Sequence, residues 1–259
     1  RTKIGYLGHT YEGMYDMHSD PTSFTAAFGS HVQMLEMCDL AEQVRSVTKE
    51  QAARKLEEIH EVFDIADPFI DPITRKVKPE DLDWAAKVAA AMDGLVADYE
   101  LAGLAYYYRG LNDNEYERIA ANMTLGNSLL TAKGIPLAGE ADLKTCAAMM
   151  IMDRLGAGGS FAELHPCDFQ DNIVLVGHDG PHNVNISDGR PIIRGLDLFH
   201  GKSGSGIGVE FSIKAGPVTL LSISQDEHGR YKLIATEGES LKGEIPQTGN
   251  TNTRCRFNR

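Results

Sequence analysis

The chain has 259 residues and a mass of 28.3 kDa, with 42% hydrophobic and 24% charged residues, which suits a soluble globular protein of one large or two ordinary domains. Its formal net charge of −12 disfavours nucleic-acid phosphates and anionic membrane surfaces as partners, and no Lys/Arg patch or aromatic platform offsets it. No apolar run approaches the roughly 18 residues of a membrane helix, and residues 1–8 carry no signal-peptide pattern.

The chain opens on Arg1 rather than Met and passes almost directly into the strand-like run Lys3–Gly8, so it is expected to be a piece of something longer. Thr48 and Gln51 have capping-box spacing, and Ala52, Leu56, Ile59 and Phe63 then recur on one helical face. Pro79 suits a first helical position, with Trp84, Val88, Met92, Leu95 and Tyr99 forming an apolar stripe behind it. Residues 101–108 read as the strand that follows. Tyr116, Ile119, Met123 and Leu130 predict one helix stopped by Gly134, and residues 141–155 a last one closed by Gly156. Helices alternating with short apolar runs predict an α/β domain with a largely parallel sheet over residues 1–158.

Beyond residue 158 the period shortens to two. Residues 173–176 read as a buried strand, and Val209, Phe211 and Ile213 alternate with polar neighbours. Turns at residues 215–217 and 226–229 lead into the runs 218–223 and 231–235. Short strands joined by Gly-rich turns predict an antiparallel, β-barrel-like or sandwich domain over residues 159–259. Cys38, Cys146, Cys167 and Cys255 are far apart and never in a CxxC pair, so buried reduced thiols of a cytoplasmic protein are expected.

Two phosphate-binding motifs fail. Gly201-Lys202-Ser203 has Leu196 where a P-loop needs Gly and leads into a strand-like segment; the Gly-rich stretches 156–160 and 204–208 do not fit GxGxxG after a strand. The histidines say more. None lies between His60 and His165, and His178 ends the apolar run 173–177 in a polar cluster with His182. A strand end beside a loop is a usual place for a site, although a hydrogen-bonded structural histidine is the commoner role for His178 and solvated loop histidines for His182 and His200. Glu140 stands between an apolar run and a helix, where macrodipole complementation alone would explain it. Glu163 opens the β-rich half, where a solvated strand-end Glu is the plain alternative. Two carboxylates and an imidazole at element ends would suit a hard divalent cation such as Mn²⁺, but spacings of 23 and 15 residues match no compact metal motif.

At these residues a family resemblance emerges. Gly139-Glu140-Ala141-Asp142-Leu143-Lys144-Thr145, then Gly159-Ser160-Phe161-Ala162-Glu163, then Gly177-His178-Asp179-Gly180-Pro181-His182 resemble successive signatures of the L-arabinose isomerase and L-fucose isomerase superfamily, the arabinose isomerase branch being closer. Tyr6-Leu7-Gly8-His9 and Phe28-Gly29 fall where that family begins its central domain. His200-Gly201-Lys202-Ser203-Gly204 and Gly216-Pro217-Val218-Thr219-Leu220-Leu221 fit its C-terminal β domain.

The resemblance implies a cytoplasmic homo-oligomer, often a hexamer, that interconverts aldoses and ketoses with Mn²⁺, or alternatively Co²⁺ or Mg²⁺. It implies Glu140, Glu163 and His178 as three of four metal ligands, and Glu140 and Glu163 as the acid/base pair. Lys144, a helical turn beyond Glu140, is expected either to hold a carboxylate or to be solvated. The family's fourth ligand is a His beyond the segment resembling residues 249–254, and the family has a further N-terminal α/β domain; this chain shows neither and is expected to be a fragment. L-arabinose to L-ribulose is the preferred reaction, with L-fucose or a similar aldose next. The alternatives are a non-catalytic sugar-binding or assembly protein lacking the fourth ligand, and a metal-dependent hydrolase.

Overall fold

The computed structural model describes residues 2–67, 77–111, 114–178, 182–199, 202–245 and 251–257. Strand β1 (Lys3–Gly8) sends Ile4 and Leu7 to opposite, covered faces. Helix α1 (Pro21–Phe28) starts on Asp20, whose side chain accepts from the Thr22 amide, and leads to β2 (His31–Leu35) and α2 (Met37–Ser46). Helix α3 (Lys49–Val62) has both bonds of the expected capping box between Thr48 and Gln51. After β3 (Asp64–Ile65), Pro79 is indeed the first residue of α4 (Pro79–Tyr99), followed by β4 (Gly103–Tyr107).

The helix expected around Tyr116 to Leu130 is two, α5 (Glu115–Ala120) and α6 (Thr124–Ala132). Asn122 causes the break. Its side-chain amide donates to the Arg118 carbonyl at 2.9 Å, while its own backbone N–H turns to Ile119. Gly134, at φ 80°, ends α6 as expected. Next come β5 (Leu137–Ala138), one 3₁₀ turn at Gly139–Ala141, and α7 (Leu143–Arg154), which starts two residues later than expected because Asp142 is its cap.

Strands β2-β1-β4-β5 form one all-parallel sheet. Leu7, Leu104 and Leu137 pack with α2 and α4 on one face; Ile4, Ala105 and Ala138 pack with α1 and α7 on the other. In such a doubly wound layer the order reverses between β1 and β4, so the loops at their carboxyl ends diverge and leave a crevice.

The remainder is β6 (Glu163–Asp168), β7 (Ile173–His178), β8 (Ile192–Phe199), β9 (Lys202–Glu210), β10 (Gly216–Gln225), β11 (Tyr231–Leu241) and β12 (Thr251–Phe257). The Gly-rich stretch after Lys202 is strand, as expected, but β9 stops at Glu210, short of Phe211 and Ile213. The strands are antiparallel as expected, but a closed barrel is not seen among the described residues. Among the described residues no sheet closes: β10-β11-β12-β7-β6 is an open antiparallel sheet, and β8 lies between β9, antiparallel, and β3, parallel. Ile223 of β10 packs against α7's cluster, while Ile193, Ile207, Val209 and Phe211 share a core with Ile59, Phe63, Leu125 and Leu129. All four cysteines are free; Cys146 and Cys255 are buried as expected, but Cys38 and Cys167 are exposed. Among the described residues no helix is long and apolar enough to cross a membrane.

Candidate metal centre

Glu140 stands two residues past the end of β5, at the carboxyl edge of the parallel sheet. Glu163 is the first residue of β6 and His178 the last of β7, and the antiparallel register pairs Glu163 with Gly177. These three side chains, from three elements and two sheets, converge: one ligand atom from each lies within 4.8 Å of the other two. Ions bound at about 2.0–2.3 Å place ligand atoms at most about 4.6 Å apart, so one divalent cation fits with a few tenths of an ångström of closure. Two carboxylates and an imidazole are also the donor set that such a cation prefers.

Each donor is built in by its neighbours. His178 is 8% exposed, with the Phe161 ring edge-on to it at 4.6 Å and its Nε2 3.9 Å from Glu163 Oε2. Glu140 adopts φ 59°, ψ 12°, and Ala141 follows at φ 56°. Two successive non-glycine residues in the left-handed region are uncommon and strained, and such strain gathers at functional sites. Below this turn, Asp142 accepts from the Lys144 and Thr145 amides and caps α7; above it, the Tyr11 amide donates to the Glu140 carbonyl at 3.2 Å.

Lys144 neither holds Glu140 nor faces solvent. It is buried, and its ammonium donates to the Asp16 and His18 carbonyls and to Ser19. His182 is likewise no solvated loop residue. It is 1% exposed, edge-on to Phe211, and burial pushes its pKa down to about 3, so the ring stands neutral. Among the described residues its Nε2 has no hydrogen-bond partner. His228 is solvated. Asp179, Gly180 and Pro181 of the third motif, His200 and Gly201, and the pair Gly249-Asn250 lie outside the described residues.

Two residues beside the site were not singled out from the sequence. His165 Nε2 stands 3.8 Å from Glu163 Oε2, and its Nδ1 meets Asn252 Oδ1 at 2.7 Å. The two-residue strand period places His165 on the face of Glu163, a signal that was available; Asn252, 87 residues away, comes near only through strand register, β12 pairing it with Gly177.

Residues 14–158, more than half of the chain, match the L-arabinose isomerase central domain. The chain belongs to the arabinose isomerase family. Within the family's wider circle it resembles sulfoquinovose isomerase of Alkalicoccus urumqiensis, 24% identical over 252 residues, a match covering 96% of this chain and 53% of that protein. It also resembles sulfoquinovose isomerase of Priestia aryabhattai, 27% identical over 124 residues, covering 47% of this chain and 27% of that protein. This arabinose isomerase family member spans about half the length of the first of these relatives.

Proposed function

We propose that the chain is the central and C-terminal part of a metal-dependent aldose–ketose isomerase, with Glu140, Glu163 and His178 holding the cation. The observation that supports this most is the convergence of these three donors from three elements and two sheets, within 4.8 Å, in a chain of this family. When bound, a divalent ion such as Mn²⁺ supplies Lewis-acid stabilisation of the negative charge that develops on the two reacting sugar oxygens. Co²⁺ and Mg²⁺ remain in the proposal, since a site of two carboxylates and an imidazole can take either. The protein's part is proton transfer. One of Glu140 and Glu163 takes the C2 proton of the open-chain aldose while the other, protonated, gives its proton to O1, so that a cis-enediol forms. The second then takes the O2 proton as the first delivers its proton to C1, leaving the ketose and both carboxyls as they began. Phe161, packed on His178, keeps that side of the site apolar.

For the sugar, the family points to L-arabinose, while the names of the relatives bring sulfoquinovose forward as a second substrate to assay. A cytoplasmic homo-oligomer acting on a small sugar, with no nucleic-acid or membrane partner, completes the proposal. The test uses the intact protein after chelation. Ketose is measured from L-arabinose and from sulfoquinovose, with and without added Mn²⁺. Ketose from either sugar only on metal addition is expected. Ketose at full rate in the chelated protein would overturn the metal-dependent mechanism, and sugar-dependent thermal protection without any ketose would favour a non-catalytic sugar-binding protein.

A further inference from the structure

Lys144 is 7% exposed, and its three ammonium hydrogens meet three acceptors: Asp16 O at 2.6 Å, His18 O at 3.1 Å and Ser19 Oγ at 3.1 Å. Asp142, at 3.9 Å, is too far for a hydrogen bond. Burying an ammonium costs free energy that an apolar side chain of the same length would not incur. What the ammonium adds is direction: it ties the first turn of α7 to the segment leading from β1 to α1.

That same segment rests on the Glu140 turn. His9 N–H donates to the Tyr107 carbonyl at 3.1 Å, the Tyr11 ring packs on Tyr107 at 5.2 Å, and Tyr11 N–H donates to the Glu140 carbonyl at 3.2 Å. Glu140 and Ala141 hold left-handed backbone without glycine, and such strain persists only where the surroundings over-determine it. Asp142 fixes the turn from the helix side. The Tyr11 bond fixes it from the loop side, and Lys144 anchors the loop.

We propose that Lys144 is a positioning residue: by anchoring residues 16–19 it holds Tyr11 on the Glu140 turn, and so keeps the Glu140 carboxylate in the metal centre. This rests on Glu140 being a metal ligand. The test uses the intact protein, stripped of metal, with Mn²⁺ affinity from calorimetry and hydrogen exchange followed over residues 9–19. Lys144→Met is expected to weaken Mn²⁺ binding about 10- to 100-fold, the usual size of outer-shell effects, and to speed exchange of the Tyr11 amide. Lys144→Arg, which can still donate to carbonyls, is expected to restore part of both.

Lys55, equally buried but held by Glu58 and Asp93 between α3 and α4, gives the comparison. Lys55→Met is expected to lower thermal stability with Mn²⁺ affinity unchanged. Wild-type Mn²⁺ affinity in Lys144→Met would overturn the proposal. If the wild-type protein takes up no Mn²⁺, the metal reading fails, and unchanged Tyr11 exchange in Lys144→Met would sink the clamp as well. Should Lys144→Met not fold, Ser19→Ala removes a single acceptor and is judged by the same two measurements.

Discussion

A Cβ on Gly159 would stand 2.8 Å from the Met149 carbonyl oxygen and 3.0 Å from the Met149 Cα, both backbone atoms of α7 that cannot swing aside. The chain leading to Glu163 therefore runs directly against that helix, which is the physical reason for glycine at the head of this motif. Gly159→Ala is expected to destabilise the fold by about 1–3 kcal/mol, the usual cost of overpacking, and to weaken Mn²⁺ binding by displacing Glu163. Thermal unfolding and calorimetry check this; an unchanged melting temperature would show that the contact is looser than it looks. At this scale the sequence was legible for residue types. Glu140, Glu163 and His178 stand out through their motifs, and the structure brings all three together. Backbone conformation was hidden, because Glu and Ala carry no mark of positive φ; the long-range bond from the Tyr11 amide and the local cap at Asp142 hold it. Lys144 and His182 were misjudged for a related reason, since their acceptors and cover come from distant segments.

Elements were legible where periodicity coincided with a stop or start signal. Thr48 with Gln51, Pro79, Gly134 and Gly156 all mark helix ends in the fold. The α5–α6 break was not, because periodicity does not register Asn122's side-chain bond to Arg118, which separates two turns of matching period. The β10–β11 hairpin was legible through its turn. There Asp226 accepts from the His228 amide at 3.0 Å, the Arg230 amide at 2.9 Å and Arg230 Nε at 2.8 Å. These bonds, the Arg230 amide first, hold the Asp226 carboxyl below its ordinary range. A carboxyl depressed by folding stabilises the protein above its unfolded pKa of about 3.9, and that contribution is lost as pH falls through the folded value. Asp226→Asn is therefore expected to melt below wild type at pH 7, with the two midpoints converging below about pH 4. A constant separation across that range would show that the charge is not what the turn uses.

The whole molecule owes its site to the meeting of two sheets. Glu140 belongs to the carboxyl edge of the parallel sheet; Glu163 and His178 belong to adjacent strands of the antiparallel one. Packing of α7 against β10 holds the two together. A fold class can be read from period and turn residues, and α/β followed by antiparallel β was readable. Closure could not be read, since it depends on which strands meet: β3, a two-residue strand from the first half, pairs in parallel with β8 of the second.

The most direct measurement takes one carboxylate from each sheet. Mn²⁺ titration and ketose formation are followed in the intact protein, in Glu140→Gln and in Glu163→Gln. Both variants are expected to stay folded, to bind Mn²⁺ more weakly, and to lose ketose formation by at least about 100-fold, the low end of a general acid–base contribution. Ketose formed at the wild-type rate by either variant would contradict a shared centre built from both sheets.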